Sequence, residues 1–335
     1  LLKSLLPERS AVLDPMAGSG STLVAARMLG HTGHGVDIDP LAVLMSRSAT
    51  ASYERQVIDQ LGIRVLMRAE EIHSRLPRTS VQKMLGCSDE EKKFIRYWFP
   101  NSSQRQLYCL RQAILKERKP LLRNVAWAAF SSLIIAKATS VSFAIDIPRS
   151  RPHKDENREI DPPFEIWNRR YKHVVTRLPF LDKKTKSAEP FIELVDARRL
   201  RLAKNSLDLV LTSPPYLNAV DYLRGHKFSL LWMGHSLSSL REIRGTMIGC
   251  ERGLWKPDGL PPSLEDNLTE ATDEARAQAI TRRYLSDLRY SLLEMKRVVR
   301  PRGLIVMVLG PSILDRDESD SIQIARVLAR NTKLE

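Results

Sequence analysis

Residues 11–40 read AVLDPMAGSGSTLVAARMLGHTGHGVDIDP, and this stretch decides the fold class. Its first four residues, Ala11–Asp14, form a short apolar run that Pro15 ends, as is typical of a buried parallel strand. Small residues follow, then an alanine-rich amphipathic segment over 22–29 and a second apolar run over 34–39 that ends in acids. Strand, helix and strand in this order predict an α/β fold with a mainly parallel, twisted sheet.

The α/β rhythm stops after residue 50 and returns near residue 190. Buried strands are predicted over 191–196, 207–212 and 303–310, with a helix over 284–299 before the last of them. We therefore expect one α/β domain formed by residues 1–50 and 190–335.

Residues 51–189 read differently, as a mainly helical insertion. Helices are predicted over 104–116 and 121–137, and the second is very apolar around Trp127 and Ile134. These apolar helices should form a small core of their own. A second, shorter insertion is predicted over 235–280.

The chain is strongly basic, with 53 Lys and Arg against 39 Asp and Glu, a net charge of +14 and a pI near 9.8. This balance indicates a polyanionic partner, nucleic acid before membrane. The three cysteines are far apart and have no metal-ligand spacing, so they predict reduced thiols and no metal site. No apolar run is long enough to span a bilayer. We expect a cytoplasmic, prokaryotic, nucleoid-associated protein without a membrane partner.

The loop that follows Asp14 could hold a nucleotide-like ligand. Glycine allows the backbone to approach a ligand closely, and the helix N-terminus that follows offers unpaired N–H groups. Asp37 follows the second strand at a spacing that suits a carboxylate on a ribose. A tight turn and a solvated acid are the structural alternatives for these two features. Asp39 is the expected capping residue of the helix that Pro40 opens.

A second motif, Ser213-Pro214-Pro215-Tyr216, ends the strand predicted over 207–212. Two prolines donate no N–H group and stiffen the turn, so the Ser213 hydroxyl and nearby carbonyls are held as acceptors at the sheet edge. Tyr216 can stack on a planar group. The structural alternative is a rigid turn with a packing tyrosine.

Taken together, DPMAGSGS at 14–21 and TSPPY at 212–216 resemble the DNA amino-methyltransferase family, which methylates cytosine N4 or adenine N6 with S-adenosylmethionine. The segments GHGVDIDPLAV, VDARRL and SPPYLNAVDYLRGHKFSLLW add to the resemblance, as does MKRVVRPRGLIVMVLG. The match covers roughly 11–48, 190–250 and 281–310, and it implies a Rossmann-like methyltransferase fold. The family's sheet ends in a hairpin after the fifth strand, whereas the residues after Gly310 show no clear hairpin.

The resemblance also implies the site residues. Asp14 and the 17–20 backbone would surround the methionine part of S-adenosylmethionine, Asp37 would bind its ribose and Asp196 its adenine amino group. Ser213, Pro214 and Tyr216 would hold a base flipped out of the duplex. The implied cofactor residues are Asp14, Ala17, Gly18, Ser19, Gly20, Asp37 and Asp196, and the implied catalytic residues are Ser213, Pro214, Pro215 and Tyr216.

Several functions remain open at this point. A serine at position 213 favours cytosine N4 over adenine N6 by the same resemblance. An RNA amino-methyltransferase and an inactive methyltransferase-like subunit that binds nucleic acid are the alternatives, and a cognate restriction endonuclease is a candidate partner. A nicotinamide dehydrogenase is disfavoured because no complete G-x-G-x-x-G is present.

The insertion is the expected DNA contact. Residues 51–189 hold 27 Lys and Arg against 16 Asp and Glu, which accounts for most of the net charge. Double-stranded DNA is the expected partner, with Arg149, Arg151 and Lys154 on phosphates. A solvated face is the alternative for this basic stretch.

Overall fold

The computed structural model divides the chain into two compact units. One consists of Leu1–Ser46, Lys184–Ala219 and Glu242–Glu335, and the other of Arg47–Lys183 and Val220–Arg241. The described residues are 2–147, 152–179, 188–216, 221–250, 260, 275–309, 312–314, 317–319, 326, 328–332 and 334.

The first unit is an α/β unit built on a five-stranded sheet. Its strands are β1 (Ala11–Asp14), β2 (Thr32–Asp37), β5 (Phe191–Leu194), β6 (Leu207–Thr212) and β7 (Val299–Met307). Its helices are α1 (Leu2–Leu5), α2 (Ser21–Met28), most of α3 (Pro40–Thr50) and α12 (Ala275–Val298). The strand order is β5-β2-β1-β6-β7, and all four pairings are parallel. The fold is α/β and Rossmann-like, as the sequence predicts.

Both faces of this sheet are covered by apolar side chains. Val12 packs with Leu2 and Ala26 on one face, whereas its neighbour Leu13 packs on the other face with the α12 residues Leu288 and Leu292. Alternate residues of a strand point to opposite faces, so β1 is apolar throughout because it is buried on both sides.

Two element predictions need correction. β7 begins at Val299 rather than at Gly303, since the chain enters the pairing with β6 four residues early and continues past an irregularity between Leu207 and Leu209. A short antiparallel hairpin does follow β7, formed by β8 (Ser312–Leu314) and β9 (Asp317–Ser319). Three-residue strands are too short for an alternating pattern to reveal them.

The second unit is a helical unit, which confirms the largely helical insertion. Its helices are α4 (Arg55–Ser74), α5 (Val81–Met84), α6 (Asp89–Trp98), α7 (Asn101–Leu115), α8 (Pro120–Ile135), α9 (Pro163–Val175) and α10 (Tyr222–Met233), and it contains the first half of α11 (Leu237–Thr246). A two-residue ladder joins β3 (Ala144–Ile145) to β4 (His153–Lys154).

The helical unit has its own core, in which Trp127 and Ile134 are buried. Gly62 lets α9 approach α4 closely, because a Cβ there would stand 2.4 Å from the Tyr171 ring. Trp167 then donates a 2.8 Å hydrogen bond from Nε1 to the Gly62 carbonyl oxygen. This unit also includes residues 220–241, whereas the sequence predicts that 220–234 belong to the α/β domain and 235–241 to the shorter insertion. Most of the remainder of 235–280 lies outside the described residues.

Candidate active site

The sheet order brings the two sequence motifs to neighbouring strands. β1 and β6 are adjacent. The chain continues from β1 to β2 towards one edge of the sheet, and from β6 to β7 towards the other edge. Asp14 is the last residue of β1, Thr212 is the last of β6, and Asp37 is the last of β2. The carboxyl ends of parallel strands meet at one edge, and ligands of open α/β sheets bind at such a switch point.

The 14–20 loop is fixed by backbone and side-chain hydrogen bonds. The Ala17 N–H donates to the Val36 carbonyl oxygen at 2.9 Å, and the Ser46 hydroxyl donates to the Gly18 carbonyl oxygen at 2.9 Å. Gly20 has a φ of 86°, and a Cβ there would stand 3.0 Å from Ser46 Cα. Gly18 has a φ of 51°, but among the described residues no heavy atom lies within 4 Å of the point where its Cβ would stand. The loop therefore packs against α3 at Gly20 and is open at Gly18.

Asp14 is buried and forms the junction between β1 and β6. Its Oδ1 accepts a 2.8 Å hydrogen bond from the Thr212 hydroxyl and a 3.2 Å bond from the Met16 N–H. Burial raises the pKa of this carboxyl above its ordinary value, while hydrogen bonds from Thr212, Thr22 and Met16 oppose that rise.

The Asp37 side chain contacts the same loop. Its Oδ2 accepts the Gly18 N–H at 2.8 Å, and its Oδ1 accepts the Asp39 N–H at 2.9 Å. Burial raises the pKa of Asp37 to about 6, although these two N–H groups lower it. Each oxygen retains a lone pair that could accept a further hydrogen bond. Asp39 caps α3 as expected, because its Oδ1 accepts the Leu41 N–H at 2.8 Å.

Asp196 follows β5 and is paired with a buried arginine. Arg198 donates to its two oxygens through Nε, at 3.0 and 3.1 Å, and through a terminal nitrogen at 2.6 Å. The other terminal nitrogen of Arg198 pairs with Asp287 of α12. Arg198 and Asp287 are each 1% exposed, whereas the side chain of Asp196 is 25% exposed.

The Ser213-Pro214-Pro215-Tyr216 turn leaves β6 at the same edge. The exposed Ser213 hydroxyl donates to the Val308 carbonyl oxygen at 3.2 Å, so both of its lone pairs remain available as acceptors. Pro214 is buried, and Tyr216 is partly buried. Tyr284 of α12 is buried, and that burial together with the nearby Tyr216 raises the pKa of Tyr284 to about 12.

Of the three basic residues predicted to contact phosphates, only Lys154 is described, and Arg149 and Arg151 lie outside the described residues. The Lys154 ammonium pairs with Glu156 and lies 4.4 Å from the centroid of the Tyr97 ring. Its side chain is 18% exposed. Lys154 is therefore already neutralised and packed on an aromatic ring.

A more open group of basic side chains lies on α9 and in the turn after it. Arg169, Lys172 and Arg177 are exposed, and Arg170 is buried against the Ser132 hydroxyl of α8. No Asp or Glu occurs between residues 166 and 179, and within the part of the chain that the structure describes no carboxylate pairs with these arginines. Burial and the neighbouring Arg169 and Arg177 lower the pKa of Arg170.

No family model matches the chain. The chain is similar to the Type II methyltransferase M.MvaI of Kocuria varians, at 23% identity over 90% of this chain and 70% of that protein. It is also similar to the Type II methyltransferase M.BsoBI of Geobacillus stearothermophilus, at 26% identity over 73% of this chain and 51% of that protein. These matches support a DNA methyltransferase family for the chain.

Some residues that shape this candidate site are not evident from the sequence alone. Thr212 stands inside the TSPPY segment, yet its bond to Asp14 depends on strand order. Arg198 stands inside the quoted VDARRL, but nothing local marks it as buried. Asp287 and Tyr284 lie on α12 with no sequence signal at all, because their roles depend on the helix packing over the sheet.

Two further findings concern the described residues alone. None of their helices combines the length and the apolarity that a membrane span requires. Their His, Cys, Asp and Glu side chains form no group of three or more that could hold a metal ion.

Proposed function

We propose that the chain is an S-adenosylmethionine-dependent DNA methyltransferase that acts on the exocyclic amino group of a flipped base, and that this base is cytosine, methylated at N4. One observation carries the proposal. The hydrogen bond between Thr212 and Asp14 joins the loop proposed for the cofactor to the strand that presents Ser213, and it does so at the switch point of the sheet.

The residues at the edge fit the cofactor. No described residue occupies the space beside Gly18, so a ligand can approach the backbone there, and Asp37 has acceptor capacity for ribose hydroxyls. Asp196 is partly exposed and can accept from an adenine amino group. When bound, S-adenosylmethionine supplies a methyl group made electrophilic by its sulfonium. Type II DNA methyltransferases generally use this cofactor.

Ser213, Pro214 and Tyr216 would act on the base. An exocyclic amino nitrogen is a weak nucleophile because its lone pair is delocalised into the ring. The Ser213 hydroxyl oxygen and the Pro214 carbonyl oxygen can accept its two hydrogens and favour a pyramidal nitrogen with an available lone pair. Tyr216 would hold the flipped base by stacking, so positioning and electrostatic stabilisation supply the acceleration.

Cytosine N4 is preferred to adenine N6 because a serine occupies position 213, a choice that rests on the family resemblance. Both amino groups offer the same two hydrogens to an acceptor, so hydrogen-bond capacity alone does not separate them. An RNA amino-methyltransferase would use the same chemistry. The nucleoside that becomes methylated decides among the three.

We further propose that the helical unit holds double-stranded DNA through α9. Arg169, Lys172 and Arg177 are exposed cations, and no Asp or Glu occurs between residues 166 and 179, which suits phosphate contacts. Arg149, Arg151 and Lys154 remain proposed contacts, although Lys154 would first have to leave Glu156. A cognate restriction endonuclease belongs to the same proposal, since both relatives are named Type II.

The test is a methylation assay with labelled S-adenosylmethionine and unmethylated genomic DNA, or total RNA, followed by mass spectrometry of the nucleosides. We expect N4-methylcytosine from DNA and no label in RNA. Ser213→Ala is the matched variant, which should bind cofactor and transfer little methyl. N6-methyladenine would overturn the base assignment, and label in RNA alone would overturn the substrate class.

A further inference from the structure

The end of β5 is tied to two other segments by a single guanidinium. Arg198 contacts both oxygens of Asp196, pairs with Asp287 on α12, and donates to the Thr246 carbonyl oxygen. Asp287 in turn accepts the Gly249 N–H. A change at Arg198 would therefore act on three segments at once.

The three charged side chains of this cluster differ in their exposure to solvent. Arg198 and Asp287 are almost fully buried, so removing either charge would leave its partner uncompensated. Burial opposes the charge on Arg198, but Asp196 and Asp287 together hold its pKa above its ordinary value. Two carboxyl groups contact one guanidinium, and of the two the Asp196 side chain is the more exposed, at 25% against 1% for Asp287.

This geometry gives the Asp196 side chain a defined orientation. Arg198 donates hydrogen bonds to the Asp196 carboxylate from its backbone N–H, from Nε and from a terminal nitrogen. A carboxylate held in this way cannot rotate freely, and an ionised carboxylate accepts hydrogen bonds without donating any. It would attract an amino group and repel a carbonyl oxygen at the same position.

We propose that Arg198 is a positioning residue that makes Asp196 selective for the 6-amino group of the cofactor's adenine. The inference rests on the proposed function, because it takes Asp196 as the adenine contact. Arg198 itself touches no substrate. It holds the Asp196 carboxyl group in one orientation, and Asp287 holds Arg198 from the far side.

The test compares the binding of S-adenosylhomocysteine and S-inosylhomocysteine to the full chain by calorimetry. The two ligands differ at the purine 6-position, where a carbonyl oxygen replaces the amino group, and at N1, which carries a hydrogen in the inosyl ligand. The wild-type protein should favour the adenosyl ligand by about 10–100-fold, the scale of a hydrogen bond to a charged group. Arg198→Lys and Arg198→Gln should reduce this preference at least about fivefold, while turnover at saturating cofactor changes little.

A purely structural role would lower the folded fraction and weaken both ligands alike, so it would leave the ratio unchanged. Arg300→Gln is the matched control, since Arg300 pairs with Asp208 and is 53% exposed. If the Arg198 variants do not fold, Asp287→Asn keeps the Arg198–Asp196 contact but removes the negative charge that holds Arg198 from the far side, and it should still reduce the ratio about twofold or more.

Two different outcomes would refute the cofactor assignment and the positioning role separately. A wild-type protein that binds neither ligand refutes the cofactor assignment in the proposed function. A wild-type protein that prefers the adenosyl ligand, with the same preference in every folded variant at Arg198 and Asp287, refutes the positioning role alone.

Discussion

The hydroxyl of Thr212 donates a 2.8 Å hydrogen bond to Oδ1 of Asp14, although the two residues are 198 positions apart in the chain. The bond connects the last residue of β6 to the last residue of β1 across the switch point of the sheet. Asp14 opens the glycine-bearing loop, and Thr212 directly precedes Ser213. A shift of either strand end would therefore reach both halves of the proposed site.

Thr212→Val should destabilise the protein by about 1–3 kcal/mol, because valine keeps the shape of threonine but leaves a buried carboxyl with one donor fewer. Denaturant unfolding measures this loss, and calorimetry should show weaker binding of S-adenosylhomocysteine. Thr212→Ser restores the hydroxyl and should recover most of both. A valine variant as stable as wild type would mean that the bond contributes nothing.

Asp37 should make cofactor binding depend on pH. Burial raises the pKa of Asp37 to about 6, and an ionised carboxylate is the better acceptor for ribose hydroxyls. The affinity for S-adenosylhomocysteine should therefore rise between pH 5 and pH 7, with a midpoint near 6. Asp37→Asn should bind more weakly, by about 1–3 kcal/mol at neutral pH, and lose that midpoint. Equal affinity in both proteins across the range would remove Asp37 from the site.

The same carboxyl should lower the stability of the ligand-free protein at neutral pH. A carboxyl whose pKa is higher in the folded state than in the unfolded state stabilises the fold only at low pH, and this contribution disappears as the pH rises through about 6. The Tm of Asp37→Asn relative to wild type should thus increase from pH 5 to pH 8. Thermal unfolding at several pH values measures the difference, and a constant difference would contradict the raised pKa.

Tyr216 and Ser213 should affect turnover far more than cofactor binding. Tyr216→Ala removes a stacking surface worth roughly 1–3 kcal/mol per base, whereas Tyr216→Phe keeps the ring and should retain most activity. Ser213→Ala removes an acceptor that is exposed at the sheet edge. Turnover and the Kd of S-adenosylhomocysteine are measured on the same preparations. Variants that fail to fold would show that this turn serves packing.

Much of the α/β unit could be predicted because local pattern and burial agree there. The β1 run is apolar throughout since the strand is covered on both faces, and Pro15 marks its end. The start of β7 is harder to predict. Its first residues include Pro301 and Gly303, two residue types that are disfavoured inside strands, so the pattern predicts a start four residues too late. The site residues also differ in whether the local sequence indicates them. The spacing of the motifs predicts Asp37 and the family resemblance implies Asp14, but neither indicates the partner of Asp196.

The missing parts depend on contacts between distant segments. Asp287 is buried on α12 in a cluster with Arg198, and only the packing of that helix over the sheet brings the two together. Lys154 shows the opposite case. In the sequence it is one of a run of basic residues, whereas in the fold Glu156 neutralises it and the ring of Tyr97 covers it.

The contrast between Lys154 and α9 leads to a prediction for DNA binding. Each phosphate contact contributes a slope of about 0.9 when log affinity is plotted against log salt. Replacing Arg169, Lys172 and Arg177 together by Gln should flatten this slope by about two to three units and weaken all sequences alike. Lys154→Gln alone should change the slope by well under one unit, because Glu156 already pairs with that ammonium.

The control for this prediction removes the same charge elsewhere in the helical unit. Lys116, Arg118 and Lys119 are exposed between α7 and α8, so their replacement by Gln lowers the net charge by the same amount as the α9 variant. If only total charge mattered, both triple variants would flatten the salt dependence equally, since long-range attraction follows net charge. If the residues on and after α9 contact phosphates directly, only the α9 variant should have a salt slope that is flatter by two to three units. A wild-type slope in the α9 variant would make that helix a solvated face, and the phosphate contacts would have to be sought on other residues.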